Sequence, residues 1–208
     1  MSYKIILALF VVCAFGVFGF TDNTVTLSRN GNVDTQTDKV NNVVADKALA
    51  IASLVLNSKE FQDSIIKLNF PYNNHCEGCK KGRNRKEMIG GQIVLDSILR
   101  EGNPKLTLHI LPYGKKPTKR KCFGLGRTCP DSYAITSYYE NIDCSMGNEL
   151  PFACSYAVHL CHEYSHNVGY CHTTNNVQTD IAEAIGEIAY YLVKQWYDTK
   201  DQRLIDLL

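Results

Sequence analysis

The clearest chemistry in this sequence lies in one short run, His162-Glu163-Tyr164-Ser165-His166-Asn167-Val168-Gly169-Tyr170-Cys171-His172. Histidines four apart on a helix present their imidazoles on one face, close enough to share a metal ion. Glu163 follows the first of them and is placed to take a proton from water that zinc acidifies to a pKa of about 7. Gly169 permits the positive φ that ends a helix, and the reversed chain can then deliver His172. Three protein ligands and one open position describe a catalytic zinc, since a structural zinc is normally closed by four. The spacing therefore predicts one catalytic Zn2+ on His162, His166 and His172, with Glu163 as the catalytic base. An acidic third ligand from a later helix is the alternative, in which Glu183, Glu187 or Asp180 replaces His172. Asp180 reads equally well as a charge at a helix N-terminus. His159 is read as a core histidine, because seven residues of helix separate it from His166 by about 10.5 Å and both cannot lie about 2.1 Å from one ion.

The pattern H-E-x-x-H-x-x-G-x-x-H resembles the zincin metallopeptidases, and its glycine and third histidine look like the metzincin extension. That resemblance implies that His162, His166 and His172 bind zinc, that Glu163 is the general base and that a peptide bond is hydrolysed. Metzincins also carry a Met-containing turn after the third His; here Met146 lies upstream and no Met follows His172. Ala184-Ile185-Gly186 is read as an apolar floor in its place. Tyr170, Tyr133, Tyr138 and Tyr139 are phenols available to stabilise a transition state, and none stands out among 12 tyrosines. The strand expected from Ser132 to Tyr139 is read as an edge along which an extended peptide can pair.

Several elements must position these residues. Apolar residues recur at helical spacing between Asp38 and Leu68, with a break near Asn57-Ser58, so one or two amphipathic helices are expected there. Further helices are expected over about 87–100, 151–168 and 180–197, and strands over 106–113 and 132–139, where branched residues alternate. The expected class is α+β: a small twisted sheet packed against the N-terminal helices and the zinc-binding helix, with a C-terminal helix and disulfide-stapled loops.

Residues 1–19 combine Lys4, an apolar run from Ile5 to Phe18 and small residues, the pattern of a cleaved signal peptide. Residues 20–36, polar and rich in Asn and Thr, read as a mobile leader or short pro-segment, and 37–208 as the catalytic domain. The expected location is secreted or periplasmic. Cleavage removes Cys13 and leaves eight cysteines, which in an oxidising compartment make up to four disulfides of unknown pairing. Cys161 and Cys171, flanking ligands, are expected to bridge to other loops.

The 208 residues carry 22 Lys and Arg against 21 Asp and Glu, a net charge of +1, too balanced for a surface built to hold nucleic acid. Two basic clusters, residues 80–86 and 115–121, could attract an acidic polymer or a membrane surface. Cys76, Cys79, Cys122 and Cys129 suggest that the two loops are stapled into one patch. The expected partner is a peptide or protein substrate, and the expected oligomeric state a monomer. The competing reading is a non-catalytic, disulfide-rich secreted binding module that uses its basic loops, with zinc absent or structural.

Overall fold

Asn41 opens the first helix by accepting the Val44 N–H on its side chain at 3.1 Å, which satisfies one of the orphan donors of a first turn. The helix, α1, runs Asn42–Asn57 and is followed by α2, Lys59–Ile65. Ser58 serves both: its backbone N–H closes α1 on the Val55 carbonyl and its hydroxyl accepts the Phe61 N–H at 3.2 Å. The break expected near Asn57-Ser58 is thus a shared cap. These elements belong to a computed structural model that describes residues 23–72, 87–118, 121–122, 124–172 and 180–208. The proposed signal segment, the 80–86 cluster, Cys76, Cys79, Lys119 and Arg120 lie outside the described residues.

The remaining elements are β1 Ser28–Arg29, β2 Asp34–Thr35, β3 Asn69–Tyr72, β4 Glu87–Gly90, α3 Gly91–Arg100, β5 Lys105–Leu111, β6 Gly126–Arg127, β7 Ala134–Tyr138, α4 Tyr139–Met146, α5 Phe152–Asn167, α6 Ile181–Asp198 and α7 Gln202–Ile205. Strand β5 is the centre of the main sheet. It pairs in parallel with β1 and β2 on one side and with β7 on the other, and β6 adds antiparallel to β7. Its alternation works as the pattern demands, with Leu106, Leu108 and Ile110 buried. Among the described residues the fold is mixed α and β and fits the general α+β class, although the pairing around β5 is chiefly parallel.

Two segments differ from expectation. Residues 87–90 are strand β4, antiparallel to β3, and the helix expected from residue 87 starts only at Gly91. The chain passes so close to α2 there that a Cβ on Gly91 would lie 1.8 Å from the Ile65 carbonyl oxygen, so only glycine fits the start of α3. The described part of the expected leader is packed into the domain. Val25 and Leu27 are buried, their N–H groups donate to Asn57 Oδ1 and Ser53 Oγ, each at 2.8 Å, and β1 and β2 pair with β5.

Helix α5 lies between α1 and α6, and 13 of its residues are buried. That burial explains a correction to the disulfide count. Cys122 is bonded to Cys144, and Cys129 and Cys171 are also disulfide-bonded. Cys154 and Cys161, both on α5, are free and fully buried. Four disulfides therefore do not form, and Cys161 bridges to no loop: its sulfur lies 3.9 Å from the Ala52 carbonyl of α1, filling core as a small hydrophobe. Cys122 likewise ties the 115–122 loop to α4 rather than to the other basic loop.

Candidate metal centre

His162 and His166 project from the C-terminal turns of α5, their ring centroids 5.1 Å apart. The helix ends at Asn167. Gly169 then takes φ +106°, left-handed backbone that suits glycine, and its N–H donates to the His166 carbonyl while the Tyr170 N–H returns to Ser165. This reversal swings His172 back. Its ring centroid lies 5.2 Å from that of His162 and 4.7 Å from that of His166. One ligand atom from each of the three rings falls within 4.8 Å of the others, the geometry of a possible metal-binding triad.

Each ring is held by its surroundings. The Nδ1–H of His166 donates to the Tyr170 carbonyl at 2.5 Å, so the chain reversal itself fixes that ring and leaves Nε2 as donor to a metal. The Nδ1–H of His172 donates to Asp180 Oδ1 at 3.2 Å. Asp180, fully buried, is also the N-cap of α6 and accepts the Glu183 N–H. Beneath His162, Gly186 of α6 approaches so closely that a Cβ there would be 3.3 Å from Nδ1 and 3.4 Å from the His162 Cβ. Ala184 and Ile185 beside it are buried.

Electrostatics suit metal ligation at two of the three rings. Burial holds His162 well below the usual histidine range and His166 at about 4, so both rings are neutral at neutral pH, the form a metal requires. His172 moves upward, chiefly through its hydrogen bond to Asp180. Glu163 is 3 % exposed, and burial pushes its carboxyl up to about 8, against the pull of His172. Its Oε2 has no hydrogen-bond partner among the described residues. Three imidazoles with two Nδ1 atoms tied back, beside a buried carboxylate oxygen without a partner, are a donor set that fits a divalent metal.

Among the residues singled out in the sequence, His162, His166 and His172 come together. Asp180 and Glu183 approach the triad from behind His172, at 3.2 and 3.8 Å from its Nδ1; Glu187 is exposed. His159 bonds to Ser137 Oγ through Nε2 at 3.1 Å and stacks on Tyr156. The tyrosines are engaged elsewhere: Tyr170 donates to the Ile93 carbonyl, Tyr139 packs on Phe152, Tyr138 lies against Gly114 and Tyr133 bonds to Glu101. Strand β7 is not an edge, because β6 covers it; β6 is the outer strand and packs against α5. In the basic 115–121 loop, Lys115, Lys116 and Lys121 are exposed. Asn141 holds the loop by donating from Nδ2 to the carbonyls of Lys115, Cys122 and Gly124. The orienting roles of Asp180 and of the Tyr170 carbonyl were not read from sequence; an acid eight residues past the third His, at a helix start, was the only available signal for the first.

No known family, curated protein or solved structure matches the chain.

Proposed function

We propose that this protein is a zinc-dependent metallopeptidase of the zincin type. The observation that carries the reading is the convergence of three histidine ligand atoms within 4.8 Å beside the buried, unpartnered carboxylate oxygen of Glu163. His162, His166 and His172 would hold the ion. Imidazole donors with an open position suit zinc among the biological divalent metals. A zinc ion bound there supplies a Lewis acid that polarises a scissile carbonyl and brings the pKa of water near neutrality.

The chain's own residues supply the rest. The Tyr170 carbonyl and the Asp180 carboxylate orient the rings of His166 and His172, so that the donor set is organised before substrate arrives. Glu163, one residue after the first ligand, takes the proton of the attacking water at its carboxylate and delivers it to the departing amine. Burial raises the proton affinity of that carboxylate, which suits a group that must both accept and release a proton near neutral pH. Action outside the cytoplasm is supported by the apolar run after Lys4 and by the Cys122–Cys144 disulfide.

The test is Glu163→Gln. We expect the variant to keep about one zinc per chain by elemental analysis and to lose hydrolysis of unfolded protein substrates by several orders of magnitude. Equal hydrolysis by variant and parent, or a purified parent that fails to bind zinc, overturns the reading and favours a non-catalytic binding module.

A further inference from the structure

We infer that His159 is a positioning residue for the Glu163 carboxylate, linking the general base to the sheet; the role rests on the metallopeptidase reading above. His159 lies one turn before Glu163 on α5, and both are buried, at 2 % and 3 % exposure. Its Nδ1 is 3.7 Å from Glu163 Oε1. That is longer than a hydrogen bond, a separation that commonly tightens when substrate closes a site. Its Nε2 is 3.1 Å from Ser137 Oγ on β7, and Ser137 in turn stands 3.5 Å from the Tyr156 hydroxyl.

The ring is fixed on its remaining sides. Tyr156 stacks on it at 6.1 Å between centroids, with 19° between planes. On the side of β6, a Cβ on Gly126 would lie 2.5 Å from Nε2 and 2.6 Å from Cε1. The outer strand therefore carries glycine where the imidazole and, at 2.5 Å, the Thr136 carbonyl both leave no room for a side chain. The confined ring keeps its Nδ1 3.7 Å from Glu163 Oε1.

Burial keeps this imidazole neutral, so it carries one proton. In the tautomer whose Nε2 accepts from the Ser137 hydroxyl, which then cannot also donate to Tyr156, the ring proton sits on Nδ1 and faces Oε1. A carboxylate oriented through Oε1 leaves Oε2, the oxygen with no partner among the described residues, to handle the reacting proton. The same contact ties the position of the base to β6 and β7.

The experiment compares the zinc-loaded parent with His159→Phe, His159→Asn and Ser137→Ala, measuring zinc content, circular dichroism, and kcat and KM on an unstructured fluorogenic peptide. His159→Phe fills the space without a donor. We expect it to retain zinc, to leave KM within about twofold and to lower kcat roughly 10- to 100-fold, the usual range for groups that orient a reactive centre. His159→Asn returns an N–H near the Nδ1 position and recovers much of that loss. Ser137→Ala, which keeps the ring but frees its far end, lowers kcat about threefold or more at unchanged KM. A His159→Phe variant as fast as the parent, or an Asn variant no better than Phe, overturns the role. If neither His159 variant folds, unchanged kcat in Ser137→Ala overturns it. A zinc-loaded parent that hydrolyses nothing overturns the peptidase reading and this role with it.

Discussion

Asp180 Oδ1 accepts the Nδ1–H of His172 at 3.2 Å and the backbone N–H of Glu183 at 3.1 Å, so one buried carboxylate both orients the His172 ring and caps α6. The two duties separate by mutation. Asp180→Asn retains a side-chain oxygen for the cap but no charge for the imidazole. It should weaken zinc affinity about 10- to 100-fold in a chelator competition with little change in Tm. Asp180→Ala should lose the same affinity and about 1 kcal/mol of stability as well. Full zinc affinity in Asp180→Asn would show that His172 needs no charged partner.

Gly186 sits within α6, where glycine ordinarily costs about 1 kcal/mol relative to alanine. Its value is closeness: the missing Cβ would stand 3.3 Å from His162 Nδ1. Gly186→Ala should therefore leave the Tm of the metal-free protein unchanged or higher while weakening zinc binding, and Gly186→Leu should abolish binding. Equal affinity in the alanine variant would mean that His162 does not depend on α6 for its placement.

In the metal-free chain Glu163 carries a pH dependence of stability. Its folded pKa is raised from 4.5 to about 8 by burial. Between these values the unfolded chain gains by ionising the carboxyl while the folded chain holds it protonated, so Glu163 subtracts stability progressively as pH rises through that window. Glu163→Gln removes the ionisation. Thermal melts of the zinc-free proteins should coincide near pH 4, and the variant should melt several degrees above the parent at pH 9. Parallel Tm curves across this range would exclude a buried charge at this position.

The free thiols of Cys154 and Cys161 are buried, and burial pushes both upward, Cys154 to about 11. Since the thiolate is the reactive form, neither should react with a thiol reagent in the native protein at pH 8. In denaturant without reductant both should label, as peptide mapping by mass spectrometry would show. Labelling of Cys161 before unfolding would contradict its packing against α1.

The parts of this molecule written in local pattern were legible in the sequence. Leu106, Leu108 and Ile110 alternate and form β5, and the apolar spacing around α1 and α2 broke where Ser58 caps both helices. The run from His162 to His172 needed only helix geometry and a glycine to converge. What stayed hidden depends on distant neighbours. β1 and β2 are two residues each, too short for any period, and exist because β5 offers an edge. Strand β4 meets its helix at Gly90-Gly91, a breaker pair that did not by itself reveal a strand, and the boundary is set by the backbone of Ile65 pressing on Gly91. Evenness of the cysteine count suggested full pairing, whereas burial on both sides of α5 keeps Cys154 and Cys161 apart from any partner. Glu163 drew attention in the sequence by its place after His162; the approach of His159 to it, and of Ser137 to His159, required the sheet to be folded onto the helix.

The hydrogen bond from His166 to the Tyr170 carbonyl spans four residues, while that from His172 to Asp180 joins the reversal to the start of another helix. Closing the first contact costs little chain entropy, so that part of the cradle can assemble as soon as α5 and its terminating turn exist. The second has to await the docking of α6. If the triad takes up a metal as proposed, full organisation of its third histidine waits on that docking, and ion occupancy would report whether α6 has reached its berth.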